Sequence, residues 1–384
     1  MRAVAGLLAA LFALVFAIQA SAAGPAWQPI AHVPGVVDIG GPRSDGKLVV
    51  AGAGKLYLMD LSGALTPFAQ GPGGYSDDKG AEAYLAVSPG LAGDTCTWTV
   101  DDVFILRLHA PIGITKVDAS GKKSNFASIS LKSLDGLAFD TTGLFGHRLL
   151  VAGVTNGGTR DLVEIDCTGK QRIINGALPG NEGGFAMAPK SFGAFAGMLI
   201  APDELSGKLL AFGADGTTQT LIDSGLPKGP DVGVESLGFV PAGFLRGGTV
   251  FFADRATPGG AHPGSDSVLT LHASDLAAAG VQEGDLLAVT EGGGQLIAVR
   301  CAASCQVIQV VTTATKAHAE GHLVLVTTAP PLPTPSPTPP SASPVPVAAT
   351  EVPSSIAVAS LVIAVAVAAA AVVLIVLDVR RRPR

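Results

Sequence analysis

A set of oxygen-bearing side chains recurs through the chain with a regularity that invites chemistry. Asp135, Glu182 and Glu235 each precede a short apolar run, at spacings of 47 and 53 residues, and Glu82 stands in the same place one unit earlier. A second set, Asn156, Asp203 and Asp254, follows the second apolar run of its unit, with Glu204 beside Asp203. Carboxylates and amide oxygens at that density suit a hard cation, Ca²⁺ above all, which takes about six to eight oxygens at roughly 2.3–2.6 Å. A second use is open to the same acids: solvating a surface and capping backbone amides, with no ion held. Asp60, Asp118 and Asp166 belong to a different pattern. Each opens an Asp-x-Ser/Thr-Gly turn, where Asp accepts backbone hydrogen bonds and Gly supplies positive φ, so these are read as turn residues.

The elements that must position the first two sets are short strands. Between Asp135 and Gly180 lie four of them: 135–139, 148–154, 161–165 and 170–177, separated by turn residues. Four antiparallel strands that start again after about 50 residues are the sequence pattern of a propeller blade. Earlier units begin near Val36 and Glu82; later ones at Glu182 and Glu235. In the last of these, 237–240, 250–252 and 267–271 are read as one blade. A less regular sixth blade would use 285–289, 296–299 and 307–310, leaving 322–326 over, enough for a partial seventh. Residues 27–35 match the last strands of later units, 171–180 and 219–227. An N-terminal strand of that type can complete the final blade and remove its free edge. The expected fold is therefore all-β, a six-bladed propeller closed by its N-terminal strand. The first strand of a blade is innermost. The loop before it and the loop after the second strand then share one face, which brings Glu82, Asp135, Glu182 and Glu235 to the channel mouth with Asn156, Asp203 and Asp254.

The units Asp135-Gly-Leu-Ala, Glu182-Gly-Gly-Phe-Ala and Glu235-Ser-Leu-Gly, with Asn156, Asp203 and Asp254 after second strands, resemble the NHL-repeat and gluconolactonase/regucalcin propellers. In the enzymes of that group a metal at the channel mouth polarises an ester or lactone carbonyl. The resemblance implies Glu82, Asn156, Asp203 and Asp254 as metal ligands, with Asp203 or Asp254 as the base. Asn is scarcer here than in those enzymes, and no His–His or Ser–His arrangement accompanies the acids.

The ends of the chain point outside the cell. Residues 1–22 carry Arg2, an apolar run and Ala20-Ser21-Ala22, the pattern of a secretory signal peptide. The propeller is assigned to 23–328. Residues 329–353 alternate Pro with small residues and read as an extended stalk, at about 3.1 Å per residue. Residues 355–377 are uncharged and apolar, long enough for a transmembrane helix, and the basic tail 378–384 places the C-terminus in the cytoplasm. A single-pass, membrane-anchored surface protein follows, whose partner is an extracellular protein or a small-molecule ligand. The net charge of −6, with no basic cluster outside the tail, argues against nucleic acid.

Four cysteines in an exported chain suggest two disulfides, with three connectivities open. Cys96 and Cys167 fall on the face opposite the mouth in adjacent blades, which favours that pair and leaves Cys301 and Cys305 to close a hairpin. Metal binding by Cys301 and Cys305 is the alternative. His318 and His322 are four apart, a helical rather than a strand spacing, so no zinc site is expected there. Arg160, Arg172, Arg246 and Arg255 read as solvated loop residues.

Overall fold

The computed structural model describes residues 25–327. The expected signal peptide, stalk, span and basic tail lie outside the described residues. Among the described residues no helix is long and apolar enough to cross a membrane.

Six four-stranded antiparallel sheets form the ring. Blade one comprises β2 (Val36–Gly40), β3 (Leu48–Gly52), β4 (Lys55–Met59) and β5 (Leu65–Phe68), numbered so that β1 is the N-terminal strand Gln28–His32. Blade two follows with β6 (Leu85–Val87), β7 (Val103–Arg107), β8 (Gly113–Val117) and β9 (Lys123–Ser128). Blade three has β10 (Ser133–Phe139), β11 (Leu149–Val154), β12 (Arg160–Ile165) and β13 (Gln171–Leu178). Blade four has β14 (Ala186–Met187), β15 (Leu199–Asp203), β16 (Lys208–Phe212) and β17 (Thr218–Asp223). Burial follows position in the sheet. The second strand β3 is buried at every residue, whereas the outermost β9 and β17 are exposed over their first three. Strands packed between neighbouring blades on both faces read as continuous apolar runs, and outer strands do not.

Blades five and six are interleaved. The innermost strand of blade five is β18 (Val234–Phe239), but the next two strands, β19 (Thr249–Asp254) and β20 (Ser267–His272), belong to blade six. Helix α1 (Ala273–Ala278) leads back to β21 (Leu286–Thr290), β22 (Leu296–Cys301) and β23 (Cys305–Val311), which complete blade five. Finally β24 (Ala319–Val326) becomes the innermost strand of blade six, paired with β19. This corrects the sequence reading, which joined 237–240 to 250–252 and 267–271 and left 322–326 unassigned. The reason is physical. Every residue of β21 is buried, as are Val250 to Asp254 of β19, so both are fully apolar-packed strands that fit beside β18 equally well by pattern. The pairing is decided by the return path through α1, not by the strands.

Closure is as the N-terminal pattern predicts: β1 pairs antiparallel with β20 as the outermost strand of blade six. The Asp-led turns are also as read. Asp60, Asp118 and Asp166 each accept from a backbone N–H two residues on, at 2.9–3.0 Å, and from the Ser or Thr hydroxyl there at 2.6 Å. Both disulfides form, Cys96–Cys167 between blades two and three and Cys301–Cys305 across the β22–β23 turn.

Candidate functional site

Each innermost strand begins at the same end of the ring, and there the acids gather. Bulges aim several of them. In β10 the register with β11 shifts between Leu134 and Gly136, and in β18 the register with β21 shifts between Val234 and Ser236. The extra residues are Asp135 and Glu235. A bulge turns its extra side chain out of the normal alternation, here toward the channel mouth.

One half of the mouth is neutralised from within. Arg255, just past β19, bonds Glu82 and Glu320 with one guanidinium nitrogen, the Glu320 contact at 3.0 Å. His318 Nε2 lies 3.0 Å from Glu291 Oε1 and 3.5 Å from Glu320 Oε1. These three, Glu291, His318 and Glu320, are all buried. Burial alone would lower the His318 pKa, but the hydrogen bonds and charges of Glu291 and Glu320 outweigh it and push it up to about 10. The ring is therefore an imidazolium at neutral pH.

Tyr84 fixes a proton. Its Oη sits 3.0 Å from Glu235 Oε1 and 3.0 Å from Glu320 Oε2. One hydroxyl has one hydrogen and cannot satisfy two carboxylates. Glu235 is fully buried, and burial followed by the charges of Glu320 and Glu291 raises its pKa well above the usual value. The Tyr84 hydroxyl therefore donates to one of the two at a time, and burial favours the protonated form of Glu235.

In the other half Arg160 is paired with Asp135, and among the described residues no cation pairs with the two glutamates, Glu182 and Glu204. Among the described residues no Lys, Arg or His lies within 4.0 Å of Glu182 or Glu204 in an ion pair. Burial, then the charges of Asp135 and Glu82, pushes the Glu182 carboxyl up to about 7. Burial, then a hydrogen bond with Glu291, pushes Glu204 up to about 7 as well. Glu204 Oε1 and Asn181 Oδ1, the latter next to Glu182 in the chain, are buried without a hydrogen-bond partner among the described residues. Orphaned buried oxygens beside carboxyls of raised pKa are the condition a hard cation would relieve. Glu182 and Glu204 supply oxygen donors of the kind a hard cation takes; on the other side Arg255 and His318 are the cations beside the acids.

The residues proposed from sequence are thus divided. Glu82, Glu182 and Glu235 come together at the mouth, and Asp135 joins them while pairing with Arg160 at 2.9 Å. Asn156 is exposed in the turn after β11. Asp203 holds its own hairpin, accepting from Ser206 N at 3.2 Å and Ser206 Oγ at 2.5 Å. Asp254 accepts from Ser265 Oγ at 2.5 Å and from His318 N at 2.7 Å, so it supports the mouth from behind. Sequence reasoning missed His318, Glu320, Glu291, Tyr84 and the role of Arg255. A signal was present in Ala317-His318-Ala319-Glu320: polar residues at every second place mark one face of a strand.

Below the acids the channel is closed. Gly184 of blade four meets Gly321 of blade six so closely that a Cβ on Gly184 would stand 2.2 Å from the Gly321 carbonyl oxygen. Gly321 itself has φ +62°, and a Cβ there would strike Asp38 Oδ1 at 2.3 Å. Next to it His322 spans the channel, with Nδ1 3.0 Å from Asp38 Oδ2 and Nε2 2.9 Å from the Leu137 carbonyl. Asp38 also accepts from the backbone N–H of Leu85 at 2.6 Å and of His322 at 2.7 Å, tying blades one, two and six at the axis.

No protein-family model matches the chain, and no curated protein matches it. Among solved structures it is similar to virginiamycin B lyase from Staphylococcus aureus, at 13% identity over 76% of this chain and 91% of that chain, with a TM-score of 0.40. It is similar to the calcium-binding protein regucalcin from Agrobacterium tumefaciens, at 11% identity over 75% and 79%, TM-score 0.43. A gluconolactonase from Xanthomonas campestris gives 14% identity over 60% and 69%, TM-score 0.36. At such identities the likeness concerns the fold, which the strand pairing establishes by itself: a six-bladed propeller of the kind the sequence resembles.

Proposed function

We propose that this is a binding protein, a propeller held at the cell surface by its C-terminal segment. Its acidic mouth takes a divalent cation, Ca²⁺, and through it an oxygen-rich extracellular ligand, a small molecule or a protein. The observation that carries this reading is the asymmetry of the mouth. Arg255 and His318 pair with Glu82, Glu291 and Glu320, while Glu182 and Glu204 have no ion-pair partner within 4.0 Å among the described residues and Glu204 Oε1 has no hydrogen-bond partner there. Two disulfides support export to an oxidising compartment. The bound ion would supply a charge that orders the acids and open positions for ligand oxygens.

The test is thermal unfolding of the purified protein with Ca²⁺ and with chelator. An ion at about 100 times its Kd stabilises the folded state by about 2.7 kcal/mol, which for a domain of this size raises Tm by roughly 5 °C. An unchanged Tm across that range removes the cation from the proposal.

A second reading, hydrolysis of an ester or lactone, is favoured by one feature. The Glu204 carboxyl, near 7, is matched to proton transfer at neutral pH. The base would be Glu204 rather than Asp203 or Asp254, whose oxygens are engaged by Ser206 and Ser265. Turnover that survives Glu204→Gln unaltered would exclude that role.

A further inference from the structure

The mouth does not use every metal-ligating side chain on its face. Second strands run back to that face, so it also carries the hairpin turns between second and third strands. The turns after β3 and β7 frame three such side chains away from the innermost strands: Asp77, Asp78 and His109. One ligand atom from each lies within 4.8 Å of the other two. His109 Nε2 stands 3.4 Å from Asp77 Oδ1 and 3.1 Å from Asp78 Oδ2. Ligands of a four-coordinate Zn²⁺ lie about 2.0–2.2 Å from the ion, which makes the edges of their tetrahedron about 3.3–3.6 Å. The two distances from His109 are close to such edges, and the exposed Asp78 carboxylate can turn to close the third.

The three are held by structure behind them. The Asp77 side chain is only 11% exposed. Its Oδ2 accepts from Tyr75 Oη at 3.2 Å and its Oδ1 from the backbone N–H of Asp78 at 2.8 Å. Tyr75 is itself buried. The Asp77 N–H donates to the Gly54 carbonyl at 2.9 Å. Gly54, at φ +70°, is what permits that approach, for a Cβ there would lie 2.0 Å from the Asp77 carbonyl oxygen. His109 rides on the turn between β7 and β8, which Arg107 braces. Its Nε donates to the Pro111 carbonyl at 2.5 Å and Nη2 to the Ala127 carbonyl at 3.1 Å. Nη1 reaches the Ile114 carbonyl at 3.2 Å and Asn125 Oδ1 at 3.0 Å. Carboxylates that bind metals are themselves held by outer hydrogen bonds, and Tyr75 has that part here.

We infer that Asp77, Asp78 and His109 form a zinc site, with a fourth position open to water or to a ligand atom. One imidazole and two carboxylates are a donor set for Zn²⁺, whereas Ca²⁺ takes oxygens alone. The two carboxylates also cancel the charge of the ion. No residue of the mouth takes part, so the site does not depend on the reading given to the mouth. A bound ion ties the connection between blades one and two to the β7–β8 hairpin.

The probe is Zn²⁺, titrated by calorimetry into the purified, chelator-treated protein with Ca²⁺ in excess throughout. Co²⁺ follows as a reporter of geometry through its visible absorption. Saturable Zn²⁺ binding that excess Ca²⁺ does not displace is expected, with the intense bands of tetrahedral Co²⁺. Losing an outer partner costs about 10–100-fold in metal affinity, so Tyr75→Phe should weaken Zn²⁺ by about tenfold or more. Losing a ligand, in His109→Ala or Asp78→Asn, should cost at least about 100-fold. Both of those side chains are exposed, so the two variants should melt as the wild type does without metal. Glu204→Gln, which touches only the mouth, should leave the Zn²⁺ titration as it is. Unchanged Zn²⁺ affinity in His109→Ala overturns the site, since the ion then binds elsewhere. No saturable binding overturns it as well and leaves the three residues an ion pair only. Displacement by Ca²⁺, or the weak bands of octahedral Co²⁺, overturns the assignment to zinc.

Discussion

Ca²⁺ binding at the mouth should expel protons, and the number is fixed by the two carboxyls without a cation. Glu182 and Glu204 both titrate near 7, raised from 4.5 by burial and by neighbouring acids. At neutral pH each is about half protonated, so an ion that engages both releases about one proton in all. Each ligand contributes a near-tenfold change in apparent affinity for each unit below its pKa. Between about pH 8 and about pH 6 the apparent Kd therefore weakens by about 100-fold, close to 2.7 kcal/mol. The assay is titration calorimetry in buffers of different ionisation enthalpy. Stability must move in the matching sense. A carboxyl raised in the folded state stabilises the fold fully below 4.5 and loses that contribution as pH rises through 7. Saturating Ca²⁺ should abolish that fall. His318 runs on a different window: raised from 6.5 to about 10, its contribution is complete below 6.5 and is lost as pH rises through 10. Binding whose affinity is flat from about pH 6 to about pH 8, with no proton release, would refute the assignment of Glu182 and Glu204 as the ion's partners.

Two substitutions examine the scaffold of the mouth. Arg255→Ala removes the guanidinium that Glu82 and Glu320 share, leaving Glu320 only His318 as a cationic neighbour, and should cost roughly 3 kcal/mol in denaturant unfolding. Adding Glu320→Gln should restore part of that loss; strict additivity of the two changes would show that the residues do not interact. Gly184→Ala places a methyl carbon 2.2 Å from the Gly321 carbonyl, against backbone with no flexible side chain to yield. A loss of at least about 3 kcal/mol is expected, and a variant of wild-type stability would mean the two strands do not meet across the channel.

The sequence alone determined the blade. Period-two apolar runs, Asp-led turns and a recurrence near 50 residues admit one architecture, because each signal is local: a turn needs its Asp, its hydroxyl and its Gly within five residues. Closure was legible for a related reason. Residues 27–35 have the composition of an outermost strand, and only an incomplete blade offers such a strand a partner. Glu82, Glu182 and Glu235 were also legible as mouth residues, since their place before a first strand follows from topology.

Tertiary structure decided what local pattern does not carry. Whether β19 pairs with β18 or β24 leaves no trace in two strands buried on both faces. Once that pairing was settled, it set the chemistry of the mouth, for it makes β24 an innermost strand and so delivers His318, Glu320 and His322 to the axis. Asp203 and Asp254 show the converse. They end the strands that neighbour the innermost ones in blades four and six, but a carboxylate's role depends on which donors reach it, and Ser206, Ser265 and the His318 amide reached these two first. Charge balance is likewise a property of the assembled ring: Arg255 lies 173 residues from Glu82 and meets it only when blade six closes near blade two.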